Sequence, residues 1–357
     1  MDFAEYSAKM YFKGSQLGIP KYIIEALLTY AEKLYALNLP IIYEQEHLAL
    51  LCGKDYAYLL GVSNQPSSYY KRYLLPKRSG GFRTIMEPLP SLKEIQDWIL
   101  RNVLYRIIDT YVAKNAKGFI PGVGIKENVR FHRNKELVVN MDLTDFFGSI
   151  GFKEVFDVFT GLGYNKSVSV LLTNLCVCEN CLPQGAPTSP MLSNMVFKRV
   201  DDKIFEYCRK NSILFTRYAD DMTFSGSFNI SGLKFFIENT LSGTPFRINH
   251  KKTKIYKNTG RQLVTNIVVN EKIQLPRYYR RRIRQEVYYI SKYGISKHLS
   301  RQNLDIDPLS YIMHLRGQVN YCIQINPKDQ EMYKYRNILY CIYKAIESPN
   351  SIINNNS

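Results

Sequence analysis

Two hydrophobic periods alternate along the chain. Over the first 74 residues the spacing is helical: Ile23-Ile24, Leu27-Leu28, Ala31 and Leu34-Tyr35 recur every three to four positions before the breaker Asn38-Leu39-Pro40. Residues 46–51 and 56–60 then predict two short apolar helices around Gly53. A DNA-reading helix-turn-helix has this outline, and so do two helices that merely pack. The period shortens at Tyr73-Leu74-Leu75, which with Phe82-Arg83-Thr84-Ile85 flanks a Ser79-Gly80-Gly81 turn and predicts a hairpin. A helix opening at Pro90 or Ser91 follows, with Leu92, Ile95, Trp98-Ile99 and Val103 on one face.

Residues 118–124 carry three glycines and a proline and read as a loop, leading to the polar run Asn128-Val129-Arg130-Phe131-His132. Leu137-Val138-Val139-Asn140-Met141-Asp142-Leu143 is a β-rich run ending in an acid, and helical spacing resumes through Phe152, Val155-Phe156, Phe159 and Leu162. The turn-rich residues 182–190 open a helix through Met191, Leu192, Met195, Val196 and Val200. Ile213-Leu214-Phe215-Thr216 and Met222-Thr223-Phe224-Ser225 predict two strands whose tip is Tyr218-Ala219-Asp220-Asp221. Beyond a helix around Leu233 and Phe235-Phe236-Ile237 come a basic strand over residues 246–255 and a β-type pair over 263–269. From Pro276 the chain is helical, with Tyr279, Ile283, Val287 and Ile290 on one face and Arg277, Arg281 and Arg284 on another. The Asn- and Ser-rich residues 348–357 predict a disordered tail.

Charge sharpens this outline. Among 357 residues, Lys and Arg exceed Asp and Glu by 17, which points to a polyanionic partner. The 28 Tyr and 18 Phe offer stacking surfaces for single strands, although core packing uses the same residues. No stretch is long and apolar enough for a membrane span and no signal-like start is present, so the expectation is a cytoplasmic protein without a membrane partner. Cys176, Cys178 and Cys181 have a zinc-like spacing, but three ligands among apolar neighbours read as buried thiols.

Arginines in a first helical turn oppose the helix dipole, so Arg277, Arg281 and Arg284 suggest a phosphate partner. Tyr-Ala-Asp-Asp is poor turn chemistry, since such tips favour Gly or Asn. Adjacent carboxylates repel, and a cation is the usual reason to hold them together. A solvated acidic turn is the ordinary alternative. With Asp142 at a second strand end, however, the acids could converge on a pair of divalent ions. In such chemistry one ion activates a 3′-hydroxyl and the other holds the triphosphate. Lys77, Arg78 and Arg83 on the basic hairpin would neutralise phosphate charge. The residues thus point to a nucleotidyltransferase, on an α+β fold whose β-α-β-β-α-β order suits a polymerase palm.

From Lys77 to the helix after Pro276 the chain resembles the reverse transcriptases of bacterial retrons. The resemblance rests on an ordered set: Phe82-Arg83-Thr84-Ile85 with Pro88, Leu92-Lys93 and Gln96; Asn140-Met141-Asp142-Leu143-Thr144-Asp145-Phe146-Phe147; Pro183-Gln184-Gly185-Ala186-Pro187-Thr188-Ser189-Pro190; Tyr218-Ala219-Asp220-Asp221; and Ile248-Asn249-His250-Lys251-Lys252-Thr253. It implies a right-hand polymerase fold. Residues 1–74 would be a helical extension, 75–268 fingers and palm, and 269–357 a basic helical thumb with the tail. Asp142, Asp220 and Asp221 would ligate two Mg2+ ions, or Mn2+. Arg83 and Lys77 would meet the triphosphate, Gln184 and Lys252 would line the nucleotide site, and Phe147 would exclude a ribose 2′-hydroxyl while Phe146 packs in the core. Asn128, His132, Tyr218, Arg277, Arg281 and Arg284 would contact template and primer.

Two motifs depart from the retron pattern: Val129 replaces Ala in an Asn-Ala-x-x-His signature, and Asn266 replaces Gly in Val-Thr-Gly. They leave room for another defence-associated reverse transcriptase with different priming. A catalytically silent RNA-binding protein on the same fold is a third reading, opposed by the retained acids, Arg83, Gln184 and Phe147. The retron reading implies a structured non-coding RNA as template and primer, dNTPs as substrates and a branched RNA–DNA product. It also implies a separately encoded effector protein in anti-phage defence.

Overall fold

The structure, a computed structural model, describes residues 2–77 and 80–347. Arg78 of the basic hairpin and the tail expected to be disordered lie outside the described residues. Helices α1 (Phe3–Gln16), α2 (Lys21–Ala36), α3 (Gln45–Cys52) and α4 (Tyr56–Asn64) come first. Asp2 and Asp55 cap α1 and α4, accepting from the Glu5 and Ala57 amides at 2.7 Å. The hairpin follows as β1 (Tyr70–Pro76) and β2 (Phe82–Pro88), paired in register from Tyr70↔Pro88 to Pro76↔Phe82. Then come α5 (Pro90–Ile99), α6 (Ile108–Tyr111) and α7 (Ile125–Val129).

The central sheet is built from β3 (Leu137–Leu143), β4 (Leu214–Tyr218), β5 (Asp221–Gly226) and β6 (Ile248–Lys257). Helices α8 (Phe152–Gly161), α9 (Lys166–Cys176) and α10 (Ser189–Lys210) separate β3 from β4, and α11 (Ile230–Leu241) separates β5 from β6. The strand order is β4-β5-β3-β6 with antiparallel neighbours, so the chain follows the expected β-α-β-β-α-β path. β3 is central, and its residues are buried apart from the half-buried Asn140. A small hairpin, β7 (Leu263–Val264) and β8 (Ile267–Val268), precedes α12 (Arg277–Tyr293), α13 (Ile295–Arg301), α14 (Pro308–Ile325) and α15 (Gln330–Glu347).

Two apolar cores organise these elements. The first runs from Leu34, Leu48 and Leu59 of the early helices through Ile95 and Val139 to Phe159, Phe197, Phe224 and Phe246. Residues before β1 therefore share their core with the sheet. The second joins Val129, Val138, Val264 and Ile267 to Ile283, Val287, Leu315, Val319 and Leu339. Each fully buried side chain of this size contributes about 1.5–3 kcal/mol of transfer free energy. Cys176 and Cys178 are free and buried, and burial pushes their thiols up to about 12 and about 11, which suits inert packing and opposes metal ligation. No described helix is long and apolar enough to cross a membrane.

Candidate active site

The register of the sheet brings the acids together. β3 pairs with β5 so that Asp142 stands opposite Asp221, and β4 pairs with β5 so that Tyr218 stands opposite Asp221. Ala219 and Asp220 are thus the two turn residues, and the Asp220 carbonyl accepts from the Leu143 amide at 3.0 Å. Ala219 lies at φ +57°, a left-handed conformation that costs a non-glycine residue about 1–2 kcal/mol. The neighbouring edge of β3 is irregular. Asn140 pairs with Lys254 but Asp142 pairs with Asn249, so residues 250–253 of β6 bulge against Met141 alone. The bulge returns Lys252 to the site, where its Nζ donates to Asp142 Oδ2 at 2.8 Å.

Burial and mutual repulsion dominate the electrostatics. Desolvation and then the charge of Asp142 raise the Asp220 carboxyl. Desolvation, Asp220 and Asp142 push Asp221 up to about 6, against the pull of Lys252 and Lys254. The bond to Asp142 raises Lys252 in turn. Three partly desolvated carboxylates fit a hard divalent cation, whose charge would relieve their repulsion. Among the described residues no cluster of three or more acidic, His or Cys side chains could hold an ion by itself.

The residues expected at the nucleotide lie on the β1–β2 hairpin, in the loop before α10 and in the turn after β3. Arg83 is exposed on β2, close enough for its charge to act on Asp220. Lys77 is exposed where the hairpin turns, its amide donating to the Gly81 carbonyl at 2.9 Å. Half-buried Gln184 accepts from the Met86 amide at 2.8 Å through its carbonyl, which ties the loop before α10 to β2. Gly185 is required there: its φ is +131°, and a Cβ would meet the Met86 carbonyl oxygen at 2.7 Å. After β3 a tight turn, closed by Ser149 N to Asp145 O at 2.9 Å, buries Phe146 and leaves Phe147 half-buried.

One expectation needs correction, and a second is qualified by an ion pair. Asn128 and His132 are not exposed, as direct contacts to nucleic acid would require; both are buried against the β4–β5 hairpin. His132 bonds to Thr216 Oγ1 and Ser225 Oγ, each at 2.7 Å, bridging β4 to β5. The Thr216 hydroxyl proton goes to Asn128 Oδ1 at 2.7 Å, so His132 Nε2 donates to Thr216 and Nδ1 accepts from Ser225. Arg284 is also partly committed, since it pairs with Glu331 at 2.6 Å. Arg277 and Arg281 remain exposed, with Arg282, Tyr278, Tyr288 and Tyr289 beside them around one open groove.

Sequence reasoning missed two features of the site. Phe119 lies between Phe147 and the β4–β5 turn, its ring 6.1 Å from Phe147 and 6.4 Å from Tyr218. Its backbone sits at φ +66°, which nothing in its apolar character signals. The second is Arg217, fully buried in an ion pair with fully buried Asp201 at 2.6 Å. A signal existed: each interrupts a buried pattern, Arg217 in a β-prone run and Asp201 on the face of α10 that carries Phe197, Val200 and Ile204.

With this geometry in place, relatives are informative. The pattern of the family described as "Reverse transcriptase (RNA-dependent DNA polymerase)" matches residues 75–278. The retron Ec86 reverse transcriptase of Escherichia coli is 31% identical over 264 residues, covering 72% of this chain and 77% of that protein. The retron Mx65 reverse transcriptase of Myxococcus xanthus is 30% identical over 319 residues, covering 82% and 71%. Among solved structures, apo telomerase from Candida tropicalis superposes with a TM-score of 0.48 at 14% identity, over 80% of this chain and 57% of that one. The chain belongs to the reverse transcriptase family and, within it, to the retron type: it is an RNA-directed DNA polymerase.

Proposed function

We propose that this reverse transcriptase copies a dedicated structured non-coding RNA, acting as template and primer, into single-stranded DNA that stays joined to the RNA. The observation that carries this reading is the convergence of Asp142 with Asp220 and Asp221 in a chain of the retron type. Synthesis starts from a guanosine 2′-hydroxyl of that RNA and leaves a branched product. Residues 1–74 act as an N-terminal extension, 75–268 as fingers and palm, and 269–357 as the thumb. Retron membership also supports a role in anti-phage defence beside a separately encoded effector.

Asp142, Asp220 and Asp221 would hold two divalent ions, which when bound would supply activation of the attacking hydroxyl and charge neutralisation at the leaving pyrophosphate. Arg83 and Lys77 orient the dNTP triphosphate by charge-assisted hydrogen bonds. Lys252 donates to the Asp142 carboxylate at 2.8 Å and adds positive charge beside the phosphates. Phe147 closes the sugar side of the pocket against a 2′-hydroxyl, and Gln184 lines the nucleotide site. Tyr218 sits beside the primer end. Arg277 and Arg281 hold RNA through phosphates, and the tyrosines beside them offer stacking faces.

The nucleic acid that copurifies with the protein tests this reading. RNase and DNase applied separately should each shorten one and the same species, leaving a DNA with a 2′-linked RNA remnant after RNase. DNA with no attached RNA would contradict the priming proposed here.

A further inference from the structure

We infer that Arg217, held by Asp201, is a positioning residue that fixes the catalytic turn in its strained conformation and so sets the direction of Asp220 and Asp221. The inference rests on the assignment of those two acids, and the experiment below separates the two claims.

The guanidinium is enclosed on every side. Nε and Nη2 donate to both oxygens of Asp201, at 2.6–3.1 Å, and Nη1 donates to Asn194 Oδ1 at 3.1 Å. The group lies over the Phe197 ring at 4.7 Å and near the Phe146 ring at 5.7 Å. Its remaining bond decides the role: Nη1 also donates to the Ala219 carbonyl at 2.9 Å. Ala219 is the turn residue at φ +57°, directly before Asp220. One end of a buried ion pair is therefore spent on the peptide that aims the acids.

Everything around this bond fixes the same peptide. The Arg217 amide donates to the Asn115 carbonyl at 2.9 Å, and the Lys117 amide donates to the Arg217 carbonyl at 2.7 Å. Asn115 Nδ2 also donates to Asp201 at 3.1 Å. Asn194, which accepts from Arg217, donates to the Gly118 carbonyl at 2.9 Å. Gly118 lies flat on the turn, where a Cβ would come within 2.7 Å of the Ala219 nitrogen. Segment 115–118, α10 and β4 thus meet around one guanidinium, whose tie to the turn is the Ala219 carbonyl.

A buried ion pair is weak support for stability, because two apolar side chains of similar size would pack as well. What such chains could not supply is a fixed donor to the Ala219 carbonyl. A lysine could keep the charge but not the planar arrangement that reaches Asp201, Asn194 and Ala219 together.

The test uses full-length protein in primer extension on an RNA template, with rates normalised by burst titration and folding followed by thermal melting. Arg217→Lys is expected to lower kcat at least tenfold while the dNTP KM changes less than threefold. Ala219→Gly added to Arg217→Lys should recover kcat severalfold, because glycine adopts the left-handed conformation without the clamp. If Arg217→Lys does not fold, Asp201→Asn, which keeps shape and removes the charge, is read by the same ratios and the same rescue. A normalised kcat within twofold of wild type in the folded variant would overturn the inference, as would a loss that Ala219→Gly does not relieve. Asp220→Asn serves as the reference. If it abolishes synthesis while Arg217→Lys leaves kcat intact, only the positioning role falls; if Asp220→Asn is active, the acid assignment itself falls.

Discussion

Asp142 and Asp221 stand directly opposite one another in the antiparallel pairing of β3 with β5. Like charges in that position destabilise a sheet, and partial burial raises the cost further. Lys252 offsets part of it from the β6 bulge. Without metal, Asp221→Asn should therefore melt about 1–3 °C above wild type in the presence of a chelator, while losing DNA synthesis. A lower melting temperature would mean that the carboxylate supports the fold and is not held against it.

His132 supplies a pH signature. Burial pushes its imidazole down to about 3, against an ordinary value near 6.5 in the unfolded chain. The folded state therefore binds fewer protons than the unfolded one between these values. The stability His132 contributes is present above pH ~6.5 and is lost as pH falls toward ~3, by up to about 1.4 kcal/mol per unit. Denaturant titrations of wild type and His132→Gln should show a shallower acid dependence in the variant. His132→Gln should also cost about 1–3 kcal/mol at neutral pH by disturbing the bridge from Thr216 to Ser225. Identical acid slopes would remove His132 as the source.

Phe147 is expected to set sugar selectivity, with Phe119 behind it at 6.1 Å between ring centroids. Phe147→Ala should reduce discrimination against ribonucleotides about tenfold or more in primer extension. Unchanged selectivity would refute the gate.

Arg277 and Arg281 should carry phosphate contacts, whereas Arg284 is shared with Glu331. Replacing the first two with Ala should weaken RNA binding and reduce the slope of log K against log salt by about 1.5. An unaltered slope would place the RNA elsewhere.

How much of this was legible before folding depends on the range of each interaction. The β-α-β-β-α-β path, a hairpin tip within Tyr218–Asp221 and a strand carrying Asp142 near its end follow from local period, despite the poor turn chemistry of the tip. The direct opposition of Asp142 and Asp221 needs the β3–β5 register, which a motif cannot supply. The family resemblance, on a polar run with basic neighbours, placed Asn128 and His132 on an RNA surface. Their partners Thr216 and Ser225 lie more than 80 residues away, and those bonds offset part of the cost of burial. Arg284 met Glu331 by the same kind of distant pairing. The Thr265-Asn266 turn of β7–β8 explains one departure from the retron pattern. Both residues are left-handed, at φ +46° and +64°, and asparagine tolerates there what glycine does elsewhere.

The central claim is that DNA is made at Asp142, Asp220 and Asp221. It is tested most directly by primer extension on an RNA template with dNTPs, comparing wild type with the double variant Asp220→Asn, Asp221→Asn and measuring RNA affinity alongside. The account predicts a loss of synthesis of at least about 1000-fold, with RNA affinity within about twofold of wild type. Synthesis that persists in the folded, RNA-binding variant would contradict it.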